Sequence, residues 1–182
     1  CSSGATGRGA GIVGLMYSSM KDALDAGTLS APLSGNEAYQ LLTRAVDDVA
    51  FNPNDDQPNL YPSKEGWDAW YGYGRSNAKM LVEAVRDGEI PPEADISSPS
   101  WFHSYNVADT PAIEVRGLVA APRAQSYTWQ LQVAAGLSPD EGDFETLADG
   151  AGSEAFDGLL ASVPMSALPM DPSAMVEALG PS

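Results

Sequence analysis

The chain has 182 residues, 43% of them hydrophobic, with a formal net charge of −16 and a pI of about 4.1. That is enough apolar material for one domain or two small ones, while the acidity repels phosphates and anionic lipid and so sets nucleic acid and charged membranes aside. One cysteine, Cys1, and one histidine, His103, exclude an internal disulfide and a Cys/His zinc cluster, and no apolar run nears the roughly 20 residues a bilayer span needs.

The chain opens with "CSSGATGRGAGIVGLMYSSM" and has neither an initiator methionine nor a signal-peptide pattern. The natural N-terminus is therefore expected to lie elsewhere, by processing or because the chain is a piece of something longer. Ile12, Val13, Leu15, Met16, Met20, Ala23 and Leu24 follow helical spacing and predict a helix from about Thr6 to Ala26, stopped by Gly27. Its first half is apolar or tiny nearly all round, which predicts burial; Lys21, Asp22 and Asp25 bring the second half to solvent. Gly4, Gly7, Gly9, Gly11 and Gly14 weaken such a helix by up to about 1 kcal/mol each, so a compensating gain is expected.

In "LSGNEAYQLL", Ser34 and Glu37 have capping-box spacing, and Ala38, Leu41, Leu42, Ala45, Val46 and Val49 then share a helical face. Residues 51–72 read as a loop rich in Pro, Asn and Asp. Asn52, Asn54, Asp55 and Asp56 offer oxygens to calcium, but the EF-hand spacing and its closing Glu are missing, so turns are expected and no cofactor is implied. A third helix runs from about Ser76 to Asp87 on Ala78, Leu81, Val82 and Val85, ended by Gly88. "EIPPEADISSPSWFHSYN" reads as a linker.

Beyond it the period changes from helical to alternating. "AIEVRGLV" and "SYTWQLQV" read as half-buried strands, with "AAPRAQ" as the turn between them. "AFDGLLASV" suits a third strand or a short helix, and the tail from Pro164 has no assignment. Two strands do not make a stable unit, so the β region is expected to be the beginning of an incomplete module.

The opening stretch resembles the catalytic-serine motif of subtilisin-like serine proteases, in which Gly-Thr-Ser-x-Ala-x-Pro opens a buried helix that continues as Ala-Gly. Aligning Ala10-Gly11 with that dipeptide puts Ser3 on the nucleophile, Ser2 on the Thr and Ala5 on the small residue; Cys1, Gly4, Gly7 and Arg8 depart from the pattern. "LSGNEAYQLLTRAVDDV" resembles the surface helix that follows in these enzymes. Gly72, Gly74, Asn77 and Ala78 match the Gly-x-Gly-x-x-Asn-Ala that leads into their final helix.

The resemblance covers roughly residues 1–88. It implies an α/β fold: the helical C-terminal part of a subtilisin-like parallel-sheet domain over 1–95, a linker over 96–110, and a mostly β appended module over 111–182. It also implies a secreted or cell-surface serine endopeptidase acting on proteins or peptides through an acyl-enzyme on Ser3. In that family the chain order is Asp, His, Ser, so the acid, the base and the side chain completing the oxyanion hole would lie upstream of Cys1. This chain alone is then expected to be inert, needing the upstream part of the same domain as its partner. His103 reads as an ordinary loop histidine, and helix capping is the alternative role for Ser3.

Two other functional classes fit parts of the sequence. "CSSG" suits the mature start of a bacterial lipoprotein, a surface binding module anchored by lipid on Cys1, although a helical pattern follows within a few residues instead of a tether. Trp67, Trp70, Tyr71 and Tyr73 suit a glycan-stacking platform, although such aromatics commonly pack a loop onto a core.

Overall fold

The computed structural model describes residues 2–50, 63–136 and 139–169. The chain divides into two compact units, Cys1–Pro92 and Glu93–Ser182. Three helices build the first unit and antiparallel sheets the second; among the described residues every strand pair is antiparallel.

In the first unit, α1 spans Ser2–Asp25, α2 Gly35–Arg44 and α3 Ala78–Asp87, with the two-residue strands β1 (Val46–Asp47) and β2 (Arg75–Ser76) between α2 and α3. Helix α1 packs through one stripe. Met16, Ser19 and Ala23 are buried and Ile12, Val13, Met20 and Leu24 half-buried, against Leu41 of α2 and Leu81 and Val85 of α3. Met16 and Val85 are wholly enclosed at 0% exposure, and the Ser19 hydroxyl donates to Val82 O at 3.1 Å, fixing the α1–α3 contact with a bond to bare backbone. Gly27 ends the helix at φ 77°. Lys21 and Asp25, one turn apart, mark the solvent side. The hydrogen bond from Lys21 to the Asp25 carboxylate, with their mutual attraction, raises the Lys21 pKa above its ordinary value.

The N-terminal half of α1 departs from expectation. The helix begins at Ser2, before the expected Thr6, and residues 2–11 are exposed apart from half-buried Gly9. The packed stripe starts only at Ile12, and the residues before it have little side chain with which to form a core contact.

Helix α2 begins as the sequence dictates. Ser34 sits in extended backbone; its Oγ accepts from Glu37 N–H at 3.0 Å, and its own N–H donates to Glu37 Oε2 at 2.9 Å. The helix stops at Arg44, short of the expected face through Val49, because Ala45 O accepts Asn77 N–H at 2.9 Å and the chain turns off into β1. Asn77 also caps α3: its Oδ1 accepts from Met80 N–H at 3.1 Å, and its side-chain amide donates to Asp47 at 2.9 Å. Gly74 makes this junction possible. Its φ is 122°, and a Cβ there would lie 2.5 Å from Asp47 O.

In the second unit, β3 (Glu93–Ser98), β4 (Ala112–Ala120) and β7 (Phe156–Pro164) form one sheet in the order β3-β4-β7, and β5 (Tyr127–Val133) pairs with β6 (Glu145–Gly152) in another. Ile113 and Val115 of β4, Leu131 of β5 and Val163 of β7 share one core with Met165, so the two sheets bury their inner faces on each other. Both expected strands are present, but they belong to different sheets. Residues 121–126 cross between the sheets instead of closing a hairpin. The stretch "AFDGLLASV" is strand, the first of its two expected alternatives, and β6 and β3 add two more, so the described residues of the unit form five strands where two or three were expected. Strand β3 occupies the start of the stretch read as linker.

Strand β6 is short of side chains for a reason. A Cβ on Gly150 would lie 2.7 Å from Trp129 Nε1, and one on Gly152 2.8 Å from the Tyr127 hydroxyl; rings from β5 lie across bare backbone of β6. The Tyr127 hydroxyl also donates to Glu154 O at 2.7 Å, tying β5 to the turn between β6 and β7.

Ser34→Ala removes a reciprocal cap and is expected to lower the unfolding free energy by about 1 kcal/mol in urea titrations followed by far-UV circular dichroism. Gly74→Ala is expected to cost more in the same assay, because it adds backbone strain to a clash with β1.

Candidate functional site

The chemistry-bearing candidate is Ser3, in the first turn of α1. The first N–H groups of a helix have no partner within it, and their dipoles sum to partial positive charge. No acidic residue occupies the first turn of α1, and exposed Arg8 stands one turn on. In a chain of net charge −16, this helix end is locally suited to negative charge. Thr6 Oγ1 donates back to Ser2 O at 3.0 Å. Ser3 itself is exposed.

The five glycines of α1 lie in the open: a Cβ built on Gly4, Gly7, Gly9, Gly11 or Gly14 meets no atom within 4 Å. The close backbone packing expected to compensate for them is therefore not made by the described residues. Leu15 is 53% exposed on the same helix, and Tyr17 39%.

Among the described residues of its unit there is no histidine to serve Ser3 as a base. His103, the one histidine, belongs to the second unit, where its ring lies 4.5 Å from that of Tyr105. Among the described residues, no group of three His, Cys, Asp or Glu side chains is placed to hold a metal ion. The proposed calcium oxygens of Asn52, Asn54, Asp55 and Asp56, and the acylation candidate Cys1, lie outside the described residues. No described helix is long and apolar enough to cross a membrane.

The aromatic cluster of the first unit surrounds a feature that sequence reasoning missed. Asp68 is 1% exposed; its Oδ1 accepts from Trp70 N–H at 2.7 Å and from Tyr71 N–H at 2.8 Å, while backbone bonds in both directions join it to Gly72. Its Oδ2 is buried and has no hydrogen-bond partner among the described residues. Asp68-Ala69-Trp70-Tyr71-Gly72 is an Asx-turn signal, legible in principle from the sequence. The turn splits the expected platform: Trp70 and Tyr73 are about half exposed, whereas Trp67 and Tyr71 point partly inward.

Comparison with protein-family models, with curated proteins and with solved structures gives no match.

Since no described residue opposes a side chain at Gly11 or Gly14, Gly11→Ala and Gly14→Ala are each expected to stabilise this chain by up to about 1 kcal/mol, measured by urea unfolding.

Proposed function

We propose that this chain is the serine-bearing C-terminal part of a subtilisin-like serine endopeptidase, completed by an upstream part of the same domain. The observation that carries the reading is Ser3 in the first turn of a 24-residue helix whose glycine-bearing half stands open, while its other half is anchored in a core. A helix keeps five destabilising glycines where another backbone must approach closely. The backbone that fits here is the parallel sheet and the Asp- and His-bearing segments that such an enzyme places before its serine.

In that assembly Ser3 Oγ attacks the scissile carbonyl of a bound protein or peptide. A base from the upstream part takes its proton and passes it to the leaving amine, and water then hydrolyses the ester. The unpaired N–H groups at the start of α1 lie beside the carbonyl oxygen as it becomes negative, and the covering segments exclude water and strengthen that attraction. The capped arrangement of α2, Gly74, Asn77 and α3 is the brace that holds α1 at a fixed angle. It agrees with the family's order of a surface helix followed by a Gly-x-Gly-x-x-Asn-Ala turn. The site of action in this reading is extracellular.

The reading is tested by comparing two polypeptides. Residues 1–182 alone are expected to leave a casein or peptide substrate uncut, because base, orienting acid and part of the oxyanion site are absent together. A polypeptide extended upstream by its own coding sequence is expected to cut it and to be labelled by a fluorophosphonate, both abolished by Ser3→Ala and spared by Ser2→Ala. Enzymatic turnover by the short chain, or full activity of the extended Ser3→Ala variant, would overturn the proposal. Gly11→Ala is expected to lower activity of the extended form at least about tenfold, although it stabilises the short one, since the added methyl stands where backbone packs.

A further inference from the structure

The second unit carries a feature that the protease reading leaves unused. Between β3 and β4, Trp101 is 74% exposed and Phe102 92% exposed, with Ile96 and Val107 about half exposed on either side. Phe102 has φ 58°, in the left-handed region that bulky residues avoid. Outward apolar rings and an unfavourable backbone both work against stability, and such departures concentrate at recognition sites.

The loop is held firmly around them. His103 N–H donates to Ser100 O at 3.1 Å across the turn that bears Phe102, and Asn106 accepts Ala108 N–H on its side chain at 3.1 Å and Thr110 N–H on its backbone at 2.9 Å. Tyr105 packs on the core and against the His103 ring. The two rings are thus presented by an anchored scaffold.

We propose that this loop binds a neutral, hydroxyl-rich polysaccharide chain, with Trp101 and Phe102 as its stacking anchors. Charge selects this ligand. From 96 to 108 the sequence has no Lys, Arg, Asp or Glu, within a chain of net charge −16. A lipid surface would find a single neighbouring cation, Arg116 opposite Ser98 on β4, which Glu114 already pairs at 3.3 Å, and a protein partner would find little charge to orient its rim. A neutral sugar needs neither: its C–H face stacks on rings, and exposed Ser97, Ser100 and Ser104 supply hydroxyls for its own hydroxyls. Shape narrows it further. The rings stand edge to face at 62° with centroids 6.1 Å apart, so they cannot lie together on one flat crystalline face. A single soluble chain, whose successive sugars turn, can meet both.

The test uses the full chain and does not involve Ser3. Soluble glucan, mannan and xylan are titrated by calorimetry and affinity electrophoresis, with phosphatidylcholine vesicles in parallel. Binding to at least one polysaccharide is expected, weakened about tenfold or more by Trp101→Ala and by Phe102→Ala. Phe102→Gly is expected to lose binding equally while keeping or raising the melting temperature, because glycine suits that backbone. A role confined to holding the loop would lower it. No binding to any of the three polymers, binding untouched by both alanine variants, binding to vesicles alone, or a destabilised glycine variant would each overturn the proposal.

Discussion

The hydrogen bond from Asn77 N–H to Ala45 O is the constraint on which the helical unit depends. It ends one helix and begins the next with the same residue, since Asn77 also caps α3 with its side-chain oxygen. Two short helices that would be marginal alone are thereby fixed to each other at their ends. Leu41, Leu81 and Val85 can then close on Met16 of α1. Gly74 is the geometric condition for this bond, as only a residue without a side chain lets the chain pass so near Asp47 O.

Helix α1 consequently has two regimes. From Ile12 onward it is held by apolar contacts and by the Ser19 hydroxyl. Before Ile12 it is helix whose glycines meet none of the described residues. A helix that spends stability on glycines in the half that touches nothing is incompletely explained by its own unit. The protease reading accounts for that imbalance by assigning the missing contacts to another part of the protein, and it places the chemistry at the end of the unsupported half.

What was legible in the sequence follows the range of the forces involved. The Ser34–Glu37 box, the Gly88 stop and the Leu81/Val85 stripe are decided within a turn or two of helix, and all appear where the residues put them. The alternation of β4 and β5 was equally plain. Strand β6 was hidden because "ETLADGAG" supplies no alternating side chains, its surface being filled by rings from β5; β3 was hidden because it pairs by backbone along β4. The end of α2 was misjudged because a partner thirty-odd residues away, not local propensity, takes the Ala45 carbonyl. Composition suggested a buried first half of α1, but burial needs a neighbour, which composition cannot supply. For the candidate site, the motif around Ser3 was visible only through its resemblance, and Asp68 went unread although its turn chemistry is local.

Trp129 lying across Gly150 couples two positions that are far apart along the chain. Any side chain at 150 would evict the indole, and any smaller residue at 129 would leave a furrow in the opposing strand. Neither site is free to drift by itself over evolutionary time, so descendants of this module should retain the two together or lose them together. That pairing is a fingerprint by which distant cousins of the module could be traced after the rest of their sequences have diverged.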